Sequence, residues 1–194
     1  CFSEVFSTAV IAKRIKADKK IGYNWYGRGS FFDIPVTYTK NRINLKKLAL
    51  DTVKSAGCEV SDSFEINFAD CKFDMPSEEI AVLHAGCSET QRIWPVENFT
   101  ETATRIKNEL NLLPVLIGTA PEEKINAQIA EATGALDLTC KTSLPELICL
   151  LKRAKLFVGN DSAPIHIADL CKCPSVGIFL KQNLVRHSPF FSRA

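Results

Sequence analysis

The stretch LFVGNDSAPIHIADLC, residues 156–171, decides the fold because an apolar strand runs directly into a helix. Residues 156–159 form a short apolar run that ends in glycine, which is typical of a buried strand. Residues 163–171 follow with helical spacing and with Pro164 in the first turn, a position that favours a helix start. A strand that passes into a helix within a few residues is the repeating unit of a parallel sheet.

The same unit recurs on both sides of this stretch. The predicted elements around it are strand 80–84, helix 96–110, strand 114–118, helix 121–133, strand 136–138, a helix that begins at Ser143, and strand 175–179. Ser143 and Glu146 have the spacing of a capping box, which marks the start of that helix. Strands separated by helices of this length predict a doubly wound α/β fold, in which helices cover both faces of a parallel sheet.

The first 75 residues are less regular. Their predicted elements are helix 3–17, a strand end at 20–23, a loop at 24–40, helix 41–56 capped by Gly57, a weak strand at 64–68 and a linker at 69–78. One or two strands are too few for a complete α/β domain, and the chain begins with Cys1 rather than Met. We therefore expect a fragment, with an N-terminal remnant at 1–75 and a ligand-binding domain at 76–194.

Composition excludes several classes of protein. With 46% hydrophobic residues, 24 basic and 22 acidic side chains, the chain is neither disordered nor a strongly basic nucleic-acid binder. Apolar runs are too short to predict a membrane span. The eight cysteines are scattered without a CxxC pair, so we expect reduced thiols rather than a disulfide framework, and no metal site.

The loops that follow the strands are where a parallel sheet binds ligands. The first, residues 84–95, holds Gly86, which permits close approach of backbone to a ligand, and Arg92, a forked cation suited to phosphate. The alternative interpretation is a surface loop with a solvated Arg92 and with Trp94 packed in the core. Composition and spacing alone leave both interpretations open.

Two further loops are ambiguous. In residues 118–123, a carboxylate of Glu122 or Glu123 could accept hydrogen bonds from ribose hydroxyls or could simply complement the helix dipole. In residues 139–143, capping explains Ser143 fully, whereas the roles of Thr142 and Lys141 are ambiguous.

The loop at residues 159–166 points to an anion, because it leads into a helix N-terminus. Asp161 or Ser162 could be the helix N-cap, but capping does not explain why His166 lies so close to the same strand end. Together the four loops predict a nucleotide-diphosphate site. The patterns GxxxxGK[ST] and GxGxxG are both absent, so neither a P-loop nor a standard dinucleotide fold is expected.

Three motifs resemble glycosyltransferase family nine, the ADP-heptose:lipopolysaccharide heptosyltransferases. They are HAG at 84–86 with RIWP at 92–95, LTCKTSL at 138–144, and GNDSAPIHIA at 159–168. The close resemblance covers residues 80–180, and a looser one covers residues 1–57.

This resemblance implies the GT-B architecture, two Rossmann-like domains of which the C-terminal one holds the nucleotide sugar. It also implies inverting transfer of heptose from ADP-heptose to a lipopolysaccharide core acceptor without a metal or other cofactor. A cytoplasmic protein is expected, with peripheral attachment at most to the inner face of the inner membrane.

The resemblance implies specific roles for residues of the donor site. Gly86 and Cys87 would lie against the diphosphate, and Arg92, where the family usually has Lys, would neutralise the departing diphosphate. Glu122 and Thr142 would contact the nucleoside.

At the remaining positions, Asp161 would contact the heptose hydroxyls. The phosphate end of the site would be lined by Ser162, Ala163 and His166. The family's catalytic base is an Asp near the start of its N-terminal domain, a segment that we expect to be missing upstream. No catalytic base is therefore assigned, and nothing around Asp33 supports moving the role there.

Departures from the family pattern leave alternatives open. The family usually has Gly where this chain has Cys140, Ala163 and Leu180. These changes favour slightly a nucleotide-binding module without transferase activity, and they also admit a transferase for another ADP- or UDP-linked sugar. An α/β protein-interaction module is a third possibility, although the clustering of ligand-type loops argues against it.

Overall fold

The computed structural model describes residues 6–24, 27–37, 44–60 and 74–180, with 187 and 189. The chain divides into two compact units, one made of residues 1–63 and 183–188 and the other of residues 64–182 and 189–194. The predicted strand at 64–68 lies outside the described residues, as does the first half of the predicted linker, residues 69–73. The assignment of the two parts to an acceptor side and a donor side stays a prediction.

The first unit is a small α/β layer. Its elements are α1 (Phe6–Arg14), β1 (Ile21–Tyr23), β2 (Ile34–Val36) and α2 (Leu45–Ser55). Strands β1 and β2 pair in parallel, with Ile21 opposite Ile34. The Asn44 side chain caps α2 by accepting a hydrogen bond from the Lys46 amide at 2.9 Å. Buried apolar side chains hold the unit together: Ala9, Tyr23, Phe32 and Leu48.

The predicted loop at 24–40 is wrong in part. It contains a 3₁₀ turn, Arg28–Phe31, followed by β2. A three-residue strand is too short to show period-two alternation, and it forms here through pairing with β1. The Asp33 carboxylate also accepts a hydrogen bond from the Lys20 amide at 2.7 Å, which fixes the entry into β2.

The second unit contains a five-stranded parallel sheet. Its elements are β3 (Ile80–His84), α3 (Val96–Leu110), β4 (Leu113–Leu116), α4 (Glu123–Thr133), β5 (Leu136–Asp137), α5 (Leu144–Arg153), β6 (Leu156–Asn160), α6 (Ala163–Leu170) and β7 (Ser175–Ile178). The strand order is β5-β4-β3-β6-β7, and every pair is parallel. From the central strand β3 the chain adds β4 and β5 toward one edge of the sheet. It then returns to place β6 and β7 on the other side of β3.

Side chains of β3 alternate between two apolar layers. Ile80 and Val82 pack with Leu150 and Ile165, so that α5 and α6 cover one face. The opposite face has its own layer, in which β3 contributes two residues, α3 three and α4 one: Ala81, Leu83, Phe99, Ala103, Ile106 and Ile129. The predicted doubly wound α/β class is therefore confirmed, since helices cover both faces of the parallel sheet.

Element boundaries agree with the sequence to within a few residues. Helix α3 has the predicted bounds, and the predicted helix at 121–133 begins with a 3₁₀ turn, Ala120–Glu122, before α4. At α5 the Ser143 hydroxyl and amide both donate to Glu146, at 2.6 and 2.7 Å, which confirms the capping box. Local side-chain signals therefore mark where these helices start.

Among the described cysteines, Cys149 differs from the expectation. The described free thiols are Cys58, Cys87, Cys140, Cys171 and Cys173. Cys149 is disulfide-bonded, so the expectation of reduced thiols throughout is wrong there. Cys140 is also unusual in its backbone, because its φ of 58° lies in the left-handed region that favours glycine.

Candidate functional site

A crevice is expected between the loops that follow β3 and β6, because the order of the strands reverses at that point. Chain connections leave β3 toward one edge of the sheet and β6 toward the other, so their following loops diverge. Residues 85–95 and residues 161–162 form these two loops. The chemistry of the site therefore depends on what holds them together.

Asn160 joins the two loops. Its fully buried side chain donates from Nδ2 to the carbonyl oxygens of Ala85 at 2.8 Å and Gly86 at 3.3 Å. Its Oδ1 accepts a hydrogen bond from the Trp94 amide at 3.2 Å. One amide side chain at the end of β6 thus holds both ends of the loop that follows β3. Trp94 then packs edge-to-face on Phe99, as the core interpretation of that residue predicts.

An ion pair also connects the loops. Arg92 Nη1 lies 3.1 Å from Asp161 Oδ2, and both side chains are largely buried, with 14% and 8% of their surfaces exposed. Arg92 Nη2 lies 2.6 Å from Glu89 Oε1, on a carboxylate that is half exposed. Burial opposes the charge, but Cys87, Glu89 and Asp161 together raise the pKa of Arg92. The site therefore contains a permanent cation held between two carboxylates.

Cys87 adds a third contact between the two loops. Its thiol contacts the Asp161 carbonyl oxygen at 3.4 Å. Cys87, Arg92 and Asp161, three of the residues predicted for the donor site, therefore lie together.

Gly86 and Glu122 meet on the other side of the loop that follows β3. A Cβ atom on Gly86 would lie 2.5 Å from the Glu122 carboxylate, and one on Gly118 would lie 2.8 Å from Glu122 Cβ. Glu122 Oε2 accepts hydrogen bonds from the Thr119 amide at 2.7 Å and from its hydroxyl at 2.8 Å. Both interpretations of Glu122 thus remain: it caps a helix, and its other oxygen lies beside Gly86.

Helix α6 begins beside Asp161. Ser162, one of the two candidates for the cap, occupies the N-cap position, although its hydroxyl makes no capping hydrogen bond. Ala163 is the first helical residue, and His166 lies in the first turn. Thr142 lies in the loop between β5 and α5. All four residues lie at the carboxyl edge of the sheet, in the loops or the first helical turn that follow β5 and β6.

Three residues at this edge were not assigned a role from the sequence: His84, Glu89 and Asn160. His84 is 6% exposed, and its Nδ1 is buried without a hydrogen-bond partner among the described residues. Burial lowers the pKa of His84, an effect that Glu122 partly offsets. The available signal was that His84 and Asn160 are polar residues that end otherwise apolar strands. For Glu89 the signal was its position three residues before Arg92, a spacing at which opposite charges can pair within a turn.

Two further observations concern the described part of the chain. Its helices are too short or too polar to span a membrane. Those same residues contain no group of three or more His, Cys, Asp or Glu side chains placed to hold a metal ion.

The strand order and the joined loops at the switch point define a Rossmann-like α/β protein. Comparison with known families then identifies the family. The chain belongs to glycosyltransferase family 9 (heptosyltransferase), whose model matches residues 2–194. The family and the fold class predicted from the motifs are confirmed, since the solved structures that resemble the chain include members of this GT-B family.

Individual relatives are distant. Lipopolysaccharide heptosyltransferase 1 of Campylobacter coli is 29% identical over 104 residues, which are 50% of this chain and 30% of that protein. A family 9 glycosyltransferase structure from Veillonella parvula has a TM-score of 0.77 at 17% identity, over 98% of this chain and 59% of its own. The structure of ADP-heptose lipopolysaccharide heptosyltransferase II of E. coli has a TM-score of 0.72 at 18% identity, over 98% and 64%. The chain thus spans less than two thirds of each relative.

Proposed function

We propose that this chain holds the nucleotide-sugar-binding part of a glycosyltransferase. The transferase moves heptose from ADP-heptose to a lipopolysaccharide core acceptor, with inversion and without a metal ion. The observation that carries the proposal is the buried pair of Arg92 and Asp161 across the switch point. In this pair Arg92 is a cation suited to a diphosphate, and Asp161 is a carboxylate suited to sugar hydroxyls. The chain that carries them belongs to a heptosyltransferase family.

At the diphosphate end, Arg92 stabilises the negative charge that develops as the sugar–oxygen bond breaks. A forked guanidinium suits this task because it can donate two parallel hydrogen bonds to phosphate oxygens. Gly86 and Cys87 let the backbone approach the diphosphate. The start of α6, with Ser162, Ala163 and His166, adds the positive end of a helix dipole that no hydroxyl caps.

At the nucleoside and sugar end, each carboxylate has one oxygen without a hydrogen-bond partner among the described residues. Glu122 uses Oε2 for its cap, which leaves Oε1 for ribose hydroxyls, and Thr142 lies on a neighbouring loop at the same edge of the sheet. Asp161 uses Oδ2 for Arg92, which leaves Oδ1 for heptose hydroxyls. These oxygens are acceptors, as recognition of sugar hydroxyls requires.

Residues 76–194 would form the donor-side domain, and residues 1–75 would belong to the acceptor side. A carboxylate elsewhere in the complete protein would remove the proton from the acceptor hydroxyl, and no residue of this chain is assigned to that step. Because the acceptor is a lipid, the reaction would take place at the inner face of the inner membrane.

Calorimetric titration of the chain with ADP, UDP, GDP and ADP-heptose tests the proposal. We expect selective binding of ADP and ADP-heptose, weakened about tenfold to a hundredfold in Arg92→Ala because a charge-assisted contact to phosphate is lost. His166→Ala should weaken ADP binding as well. Arg105→Ala is the matched control, because Arg105 is exposed on α3 and pairs only with Glu109 among the residues described.

Three outcomes of this titration would contradict parts of the proposal. Tighter binding of UDP or GDP than of ADP would support a nucleotide site here but would contradict ADP-heptose as the donor. A folded chain that binds no nucleotide would refute the donor site together with the alternative of a nucleotide-binding module, and it would favour the protein-interaction module. Equal losses in Arg92→Ala and Arg105→Ala would remove Arg92 from the site.

A further inference from the structure

Arg92 is not free to receive a diphosphate in this structure, because two carboxylates already surround its guanidinium. Asp161 lies 3.1 Å from Nη1, and Glu89 lies 2.6 Å from Nη2. The Ser88 hydroxyl is a third neighbour of Nη2 at 3.5 Å. One cation and two anions leave this cluster with a net negative charge. A diphosphate that approached it unchanged would be repelled.

The two carboxylates differ in how firmly they are held. Asp161 is 8% exposed, and its backbone is fixed at both ends, since its amide donates to the Ile178 carbonyl at 3.0 Å and its carbonyl accepts from Cys87. Glu89 has half of its side chain exposed. Its carboxylate otherwise contacts only the Gln91 amide group, at 3.4 Å, among the described residues.

Release of the Glu89 side chain requires no movement of the main chain. The turn at this point is held by backbone hydrogen bonds, because the Arg92 amide donates to the Glu89 carbonyl at 2.9 Å. A side-chain rotation therefore frees Nη2 while the turn stays in place. Arg92 also has an Nε–H that is buried without a partner among the described residues, so the guanidinium has unused donor capacity.

We propose that Glu89 is the exchangeable counter-ion of the donor site: its carboxylate occupies the position on Arg92 Nη2 that a diphosphate oxygen takes when the donor binds. Asp161 stays on Nη1 throughout and keeps Arg92 in orientation. Glu89 thereby sets the affinity of the site for diphosphate and the dependence of that affinity on salt. This inference rests on the proposed function, since it names the residue that the donor displaces.

Titration with inorganic pyrophosphate tests the exchange on the full chain. Glu89→Gln keeps the size of the side chain and removes the competing charge. We expect it to bind pyrophosphate about fivefold more tightly than the parent at low salt, the scale of one partly exposed ion pair. The gain should shrink at high salt, because screening weakens the competition in the parent. Glu131→Gln, an equal change of charge at an exposed position of α4, should bind like the parent.

Each other outcome is decisive. Equal affinity in Glu89→Gln and the parent would overturn the exchange. Weaker binding in Glu89→Gln would also overturn it and would make Glu89 a residue that positions Arg92 for the ligand. Absence of pyrophosphate binding in both forms would overturn it as well. Parallel titration with ADP distinguishes failure of the proposed function from failure of the exchange. If Glu89→Gln binds pyrophosphate more tightly than the parent but neither form binds ADP more tightly than pyrophosphate, the proposed function is refuted and the exchange is kept.

Discussion

Replacing Asn160 by alanine should release the loop at residues 85–94 from the sheet. Asn160 is fully buried, and its amide is the link between the end of β6 and both ends of that loop. Alanine leaves the Ala85 carbonyl and the Trp94 amide without these partners. At about 1–3 kcal/mol for each unsatisfied buried group, the free energy of unfolding should fall by about 3–4 kcal/mol. This corresponds to about 10 °C in melting temperature for a chain of this length.

Hydrogen exchange measured by NMR is the assay that isolates this effect. The Trp94 amide should lose its protection in Asn160→Ala, because its acceptor is removed. Slowly exchanging amides of β3 and β6 report the global stability of the same unit. Their protection should decrease by the 3–4 kcal/mol estimated above.

Asn126→Ala is the matched control for Asn160→Ala. Asn126 is also fully buried, but its amide donates to the Ile117 carbonyl and the Thr139 hydroxyl, on the side of β4. Its replacement should reduce the free energy of unfolding, but the Trp94 amide should lose no more protection than the slowly exchanging amides of β3 and β6. The reasoning is refuted if Trp94 stays protected in Asn160→Ala, or if the loss of stability is below about 1 kcal/mol.

Two further predictions concern single residues of the same unit. Burial keeps the folded-state pKa of His84 below its ordinary value of 6.5, so the unfolded state binds the proton first as pH falls. Stability should therefore decrease below about pH 6.5, and His84→Gln should flatten this part of a urea-unfolding profile; an unchanged slope contradicts the assignment. Cys140→Gly should raise stability by about 0.5–1 kcal/mol by relieving a φ of 58°, whereas Cys140→Ala should not; equal gains in both variants contradict a conformational cause.

Of the three departures from the family pattern, the one at Cys140 falls at a residue with a left-handed backbone. The family's glycine suits the left-handed backbone that Cys140 adopts here. Ala163 and Leu180 do not share this property, since the non-glycine residues with positive φ in the described ranges are Asn111, Cys140 and Lys172. The departure at Ala163 is therefore a change of side chain at a helix start, with no backbone strain.

Helix starts and the order of elements were predictable because their causes are local. A capping box joins residues three apart, and helical periodicity needs only residues three and four apart. Helix α3 and the capping box at Ser143 follow such rules. Strand β2 was not predictable, because three residues carry no period and form a strand only against β1.

The candidate site was predictable as a set of loops but not as a set of contacts. The placement of Arg92 and Asp161 at strand ends follows from the alternation of strands and helices. Their ion pair joins positions 69 residues apart, and it exists because β3 and β6 are neighbours in the sheet. The role of Asn160 depends on that same adjacency, so no local pattern could indicate it, whereas Glu89 lies three residues before Arg92 and its pairing with Arg92 is local.

The sequence by itself determined the doubly wound α/β class, the family motifs and the loops at the carboxyl edge of the sheet. Each of these depends on periodicity or spacing within a short stretch of chain. Tertiary structure alone decided which loops meet, because the contact between β3 and β6 brings the two sides of the switch point together. That contact brings Asp161 to Arg92, which already pairs with Glu89 three residues away, and the charge of the site follows from it.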